Sequence, residues 1–129
     1  MSAPRRVVVT GMGVASPIGH DRATVVAALR EARGGIVVKP EWAAYKGLWT
    51  RLAGEVVGLS FDYPRKATRT MGRVALLAVW ATEQALADAG LAPESLAGMR
   101  VGISHGSTHG SSSSMKGPLE RVFTQQTFE

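Results

Sequence analysis

The chain contains no cysteine, which excludes disulfides, thiolate metal ligands and a cysteine nucleophile from within it. Phe, Trp and Tyr make up 6% of residues, too few for the stacking platforms of a nucleic-acid binder. Zinc-finger, homeodomain and RNP-type patterns are missing too, so nucleic acid is not an expected partner. No apolar run is long enough to span a bilayer, and the opening MSAPRR has no signal-type apolar stretch behind its charges. A soluble, cytoplasmic protein without membrane contact is the expectation. Acidic residues are also scarce: none lies between Asp62 and Glu83, a window that holds Arg65, Lys66, Arg69 and Arg73. The net charge of +5 and pI near 10.2 favour an acidic partner. What remains, 129 residues of which 45% are hydrophobic, falls in the single-domain range and can supply a packed core.

The stretch RVVVTGMGVASPIG, Arg6 to Gly19, carries the most information. Val7, Val8 and Val9 form a β-branched run of the kind found in central parallel strands covered on both faces. Gly11 and Gly13 then allow a turn where side chains would clash. Glycines after a first strand invite a dinucleotide-binding reading. Ser16 at the third glycine position, Pro17 after it and a first helix start delayed to Asp21 argue against that reading. Glu31, the acidic residue some twenty positions on, sits in a helical pattern and not at the end of a second strand.

Asp21 or His20 is the expected cap of a helix over 21–33, with Gly34 and Gly35 as its stop. Residues 36–50 read as an irregular excursion, and Arg51 to Val57 as a short strand ending at Gly58. One long, mostly buried helix is expected from Pro64 to Ala89, closed by Gly90 in the left-handed conformation with Leu91 beyond the cap. Met99 to Ser104 is the second buried strand expected, and residues 105–129 read as a Gly/Ser-rich loop and an unfinished end. Two parallel strands with long crossovers make only half of an α/β layer, so the chain reads as part of something larger.

The segments VVVTGMGVASPIG, DRATVVAALREARGGI, RKATRTMGRVALLAVWATEQALADAGL and RVGISHGSTHGS stand in an order and spacing that resemble the N-terminal part of β-ketoacyl-acyl carrier protein synthases. These are the condensing enzymes of fatty-acid and polyketide synthesis, and the resemblance runs to about Ser114. It implies an α/β, thiolase-like fold of which residues 1–129 form the N-terminal part of the first of two α/β repeats, most of that repeat and none of the second. The implied reaction is decarboxylative Claisen condensation of an acyl thioester with malonyl-acyl carrier protein. It needs a thiolate at a helix N-terminus and two histidines that stabilise the enolate. No catalytic residue is assignable within this chain, which is expected to be inactive unaided and to need no cofactor. A non-catalytic relative, a chain-length factor that heterodimerises with an active synthase, is the second reading. A standalone nucleotide-binding α/β module is the third.

His105-Gly106-Ser107-Thr108 resembles the family's catalytic His-Gly-Thr context only superficially, since that motif belongs to the second half of the enzyme. His105 and His109 have i, i+4 spacing, but the surrounding Gly and Ser disfavour the helix that would align them on a metal, and no metal site is expected. By its position in the family's loop, His109 is implied as the gate of the acyl pocket. Arg65, Arg69 and Arg73 recur every four residues with Lys66 beside them, placed at what reads as the positive end of the long helix. Cations there cost roughly 0.3–1 kcal/mol each. One reading is a solvated face; the other is anion docking. The resemblance implies that Arg65, Lys66 and Arg69 contact the acidic helix and phosphopantetheine arm of acyl carrier protein, in a homodimer or heterodimer of synthases.

Overall fold

The computed structural model describes residues 5–125. Helix α1 spans Arg22–Arg30, strands β1 and β2 span Ile36–Val38 and Leu52–Gly54, and helices α2, α3 and α4 span Arg65–Thr68, Arg73–Asp88 and Ser112–Gln125. Two 3₁₀ turns, Pro40–Ala44 and Pro93–Gly98, lie in the connections. Both begin with proline, whose fixed φ suits a first helical position.

Asp21 caps α1 as expected: its Oδ1 accepts from the Thr24 amide at 2.8 Å and its Oδ2 from the Thr24 hydroxyl at 2.6 Å. Those bonds favour the charged carboxylate and hold Asp21 below its ordinary pKa. The helix ends earlier than the glycine pair suggests. Ala32 adopts φ 53°, with Ala32 N–H donating to Leu29 and Arg33 N–H to Ala28, so the closing left-handed residue is an alanine two positions before Gly34. An L-residue with a Cβ costs roughly 1–2 kcal/mol in that conformation. Ala32→Gly is therefore expected to raise stability by about 1 kcal/mol, read as a higher denaturant midpoint with unchanged slope in the full protein.

Helix α3 closes where the sequence says it should. Gly90 has φ +67°, its N–H donates to Ala87, and the Leu91 N–H reaches back to Leu86 at 2.9 Å, the paired bonds of a Schellman cap. Its start differs from the expectation. The single helix expected over Pro64–Ala89 is two, broken at Arg69–Gly72, because Gly72 is extended (φ −80°, ψ 172°) and packs so tightly on Ser111 that a Cβ would lie 2.2 Å from that side chain. The basic residues Arg65 and Lys66 thus sit on the one-turn α2 and not on the first turn of the long helix.

The two buried strands expected at Val7–Val9 and Met99–Ser104 join no ladder among the described residues. Val7 and Val9 are 96% and 81% exposed and Ile103 is 93% exposed, because no further strand among the described residues pairs with them. The sheet that does form is an antiparallel pair, Ile36 opposite Gly54 and Val38 opposite Leu52, so the excursion expected to be irregular contains β1, and the strand expected over 51–57 shrinks to three residues. The expected loop over 105–129 is also corrected. From Ser112 the backbone is helical through Gly117 and Pro118, with Met115, Leu119 and Phe123 at helical spacing.

Packing is organised by the N-terminal segment crossing α3. Gly11 and Gly13 do not serve a turn: neither has positive φ. They serve contact, since a Cβ on Gly13 would stand 1.8 Å from the Ala81 carbonyl oxygen and one on Gly11 2.1 Å from that of Ala85. Two residues of extended chain advance about 6.6 Å and four residues of helix about 6 Å, so the glycine repeat keeps step with Ala81, Ala85 and Ala89. Asp88 ties the crossing down, accepting from the Met12 amide at 3.1 Å and lying 3.7 Å from Arg22 of α1.

The result is a scaffold with its apolar layer uncovered. Among the described residues only Ala28 is a buried hydrophobic, and the chain's accessible surface is 11177 Å², against about 6,600 Å² expected for a self-contained protein of this mass. An open apolar cleft of about 500 Å³ remains between residues 11–14, Val25 and Val26 of α1, and Ala85.

Candidate functional site

Three segments pack along α3. The first is the connection that leads out of β2. Arg73 donates to the Val56 carbonyl and His20 Nε2 donates to the Val57 carbonyl at 2.6 Å, so the link runs between the starts of α1 and α3. His20 therefore does more than neighbour the α1 cap. Its Nδ1 is buried and has no partner among the described residues.

The second element is the basic turn. Phe61 stacks on Tyr63 at 6.2 Å and meets Trp80 of α3 edge-on at 6.4 Å. The Tyr63 hydroxyl donates to Glu83 Oε2 at 2.6 Å. Pro64 then opens α2, its carbonyl accepting from the Ala67 and Thr68 amides. Arg65, Lys66 and Arg69 are exposed, and none of the three takes part in an ion pair among the described residues. The fourth cation of the window is different, since Arg73 spends its guanidinium on Val56. Three exposed cations on and just after one short turn, outside the ion pairs of the described residues, present positive charge to anything acidic that approaches.

The third element is the loop from His105 to Ser111. Ser111 Oγ accepts from the Val74 amide at 3.0 Å, giving α3 a cap from 37 residues away. That contact ties the end of this loop to the start of α3, where Ser111 also packs on Gly72. His109 is exposed, with Nδ1 3.0 Å from the Thr108 carbonyl. His105 lines a cleft of about 390 Å³ with Ile103, Ser104 and the α3 residues Ala75, Ala78, Val79, Thr82 and Glu83, the last being the partner of Tyr63. The two histidines thus occupy different surroundings. The described residues contain no cluster of three or more metal-ligating side chains.

Glu83 has an electrostatic consequence for Tyr63. The hydrogen bond to the carboxylate, with desolvation behind it, raises the phenol from 10.0 to about 12. A raised folded-state pKa stabilises the fold below the unfolded value, and this contribution disappears as pH climbs through the folded one. Stability is expected to drop between about pH 10 and about pH 12, and Tyr63→Phe to remove that part of the drop in denaturant titrations across the window.

Comparison with known proteins bears on the same stretch. Residues 4–126 match the family model of the beta-ketoacyl synthase N-terminal domain. The chain belongs to the beta-ketoacyl synthase family. It is 38% identical over 111 residues to 3-oxoacyl-[acyl-carrier-protein] synthase 1 of Escherichia coli K12, covering 83% of this chain and 27% of that protein. A beta-ketoacyl synthase from Burkholderia phymatum superposes with a TM-score of 0.84 at 39% identity, over 95% of this chain and 31% of that one. The ishigamide ketosynthase/chain length factor superposes at 0.78 and 32% identity, over 96% and 31%. The chain therefore spans less than a third of these relatives. Its fold is the N-terminal part of the α/β, thiolase-like ketosynthase architecture.

The sequence offers Arg65, Lys66, Arg69 and His109 as site candidates and His20 only as a possible cap, a part that Asp21 takes instead; Tyr63, Glu83 and Ser111 are not among its candidates. Ser111 lies in a run of serines that reads as loop, and its role shows only once the Val74 amide is seen to reach it. For Tyr63 and Glu83, twenty residues apart, no local pattern announces the pair.

Proposed function

We propose that this beta-ketoacyl synthase domain is the N-terminal portion of a 3-oxoacyl-acyl carrier protein synthase that condenses an acyl thioester with malonyl-acyl carrier protein in fatty-acid or polyketide elongation, as a cytoplasmic dimer. The observation that carries the reading is the family match across residues 4–126, joined to three exposed cations outside the ion pairs of the described residues. In this reading Arg65, Lys66 and Arg69 receive the acidic carrier protein, and charge complementarity speeds the encounter and fixes its orientation. His109 stands at the mouth of the acyl pocket.

The chain supplies no cysteine, so in this reading the nucleophile is contributed from outside it. The bond-making step is that of the family: the malonyl group loses carbon dioxide, and the carbanion equivalent attacks the enzyme-bound acyl thioester, expelling the enzyme thiolate. This domain's part is to dock the carrier protein and to shape one wall of the acyl channel.

The likeness to a ketosynthase/chain length factor supports a second reading, a non-catalytic subunit that pairs with an active synthase. One assay separates them. The full protein carrying this domain is incubated with acyl- and malonyl-acyl carrier protein, with and without a co-expressed partner synthase, and carbon dioxide and 3-oxoacyl product are measured. Product without a partner supports the first reading, and product only with one supports the second. Failure in both arms overturns the proposal.

A further inference from the structure

The basic turn is carried by an element too short to order itself. Helix α2 has four residues, its N-cap Pro64 offers no side-chain hydrogen bond, and Gly72 severs it from the helix that follows. Fixing one turn costs the dihedral freedom of several residues for about one hydrogen bond, so such a turn is unfavourable alone. Its order has to come from attachment, and the chain is attached immediately upstream. Val56 and Val57 are held by Arg73 and His20, Phe61 lies against Trp80, and the last anchor before the turn is the 2.6 Å bond from Tyr63 to Glu83. Tyr63 is only two residues from Arg65, and Glu83 belongs to α3, the most regular element of the fold.

We propose that Tyr63, acting through its bond to Glu83, is a positioning residue that fixes the basic turn in the orientation needed to receive an acidic carrier protein. The inference rests on the docking reading of Arg65, Lys66 and Arg69 and adds to it two residues that touch no substrate. A phenol suits the task, because its ring is held by Phe61 while its hydroxyl reaches the carboxylate. Bonds to a charged acceptor are stronger than neutral ones, and at neutral pH a phenol keeps the proton it donates.

The test uses the full protein carrying this domain and holo-acyl carrier protein at low salt, reading the dissociation constant and the melting temperature of each variant. Tyr63→Phe and Glu83→Ala are expected to weaken binding by about tenfold, equivalent to about 1.4 kcal/mol. Glu83→Gln keeps an acceptor for the phenol and is expected to stay within about twofold of the parent. If Tyr63→Phe and Glu83→Ala lower the melting temperature but leave the dissociation constant unchanged, the two residues are structural only and the proposal is overturned. A variant combining Arg65→Glu, Lys66→Glu and Arg69→Glu is measured alongside. Loss of binding there with none in Tyr63→Phe sinks the positioning role alone, whereas no loss in the charge-reversed variant sinks the docking reading and this inference with it.

Discussion

Gly13→Ala is expected to destabilise the protein by about 3 kcal/mol or more, at or above the upper end of what overpacking ordinarily costs. The reason lies in what the added methyl meets. Its carbon would stand 1.8 Å from the Ala81 carbonyl oxygen and 2.8 Å from the Ala85 amide nitrogen, both helix backbone. A side chain in that place would swing aside, but a hydrogen-bonded helix backbone does not, so the N-terminal segment has to lift from α3. Lifting also stretches the Met12 bond to Asp88 and with it the contact from Asp88 to Arg22, which spreads the damage to α1. Gly11→Ala meets the Ala85 carbonyl oxygen at 2.1 Å and should behave alike. Gly34→Ala meets no atom within 4 Å and is the control, with an expected change within about 0.5 kcal/mol. Denaturant unfolding of the full protein measures all three, and a Gly13→Ala midpoint equal to that of Gly34→Ala contradicts the interlocked packing.

The glycines show how far the sequence could be read. They stand out as positions where side chains would clash, yet the obstacle is a helix some seventy residues away, not a local turn. The clue was on the other partner: Ala81, Ala85 and Ala89 recur every four residues and form the small-residue face that glycines spaced by two can meet. Local devices were legible because their partners lie within a few residues. Asp21 caps Thr24 three positions on, and Gly90 closes α3 from the next turn. The strands at Val7–Val9 and Met99–Ser104 were not, because strand pairing needs neighbours that the described residues do not contain. Gly72 was missed since a single glycine in a helical pattern is usually tolerated; here its backbone makes room for Ser111. The cations of the candidate site were visible as composition, but only the fold distinguishes Arg73, committed to Val56, from the three that remain exposed.

That distinction shapes the second large effect. Reversing Arg65, Lys66 and Arg69 together to glutamate changes the local charge by six units, three cations becoming three anions. The residues are exposed and outside the ion pairs of the described chain, so folding should be little affected. Binding of an acidic carrier protein should weaken by about a hundredfold at low salt, because like-charge juxtaposition costs several kcal/mol and steering is lost together with attraction. The loss should shrink as salt rises, since at about 0.15 M charges more than about 8 Å apart are largely screened. Arg73→Glu belongs to a different class: it breaks the hold on Val56 and should lower the melting temperature as well as the affinity. Single charge reversals at Arg65, Lys66 and Arg69 should each act mainly on the association rate, as exposed rim charges do. Equal affinity of the triple variant and the parent across a salt series would leave the patch as an ordinary solvated face. A salt-dependent loss with an unchanged melting temperature is the outcome that geometry and charge together favour.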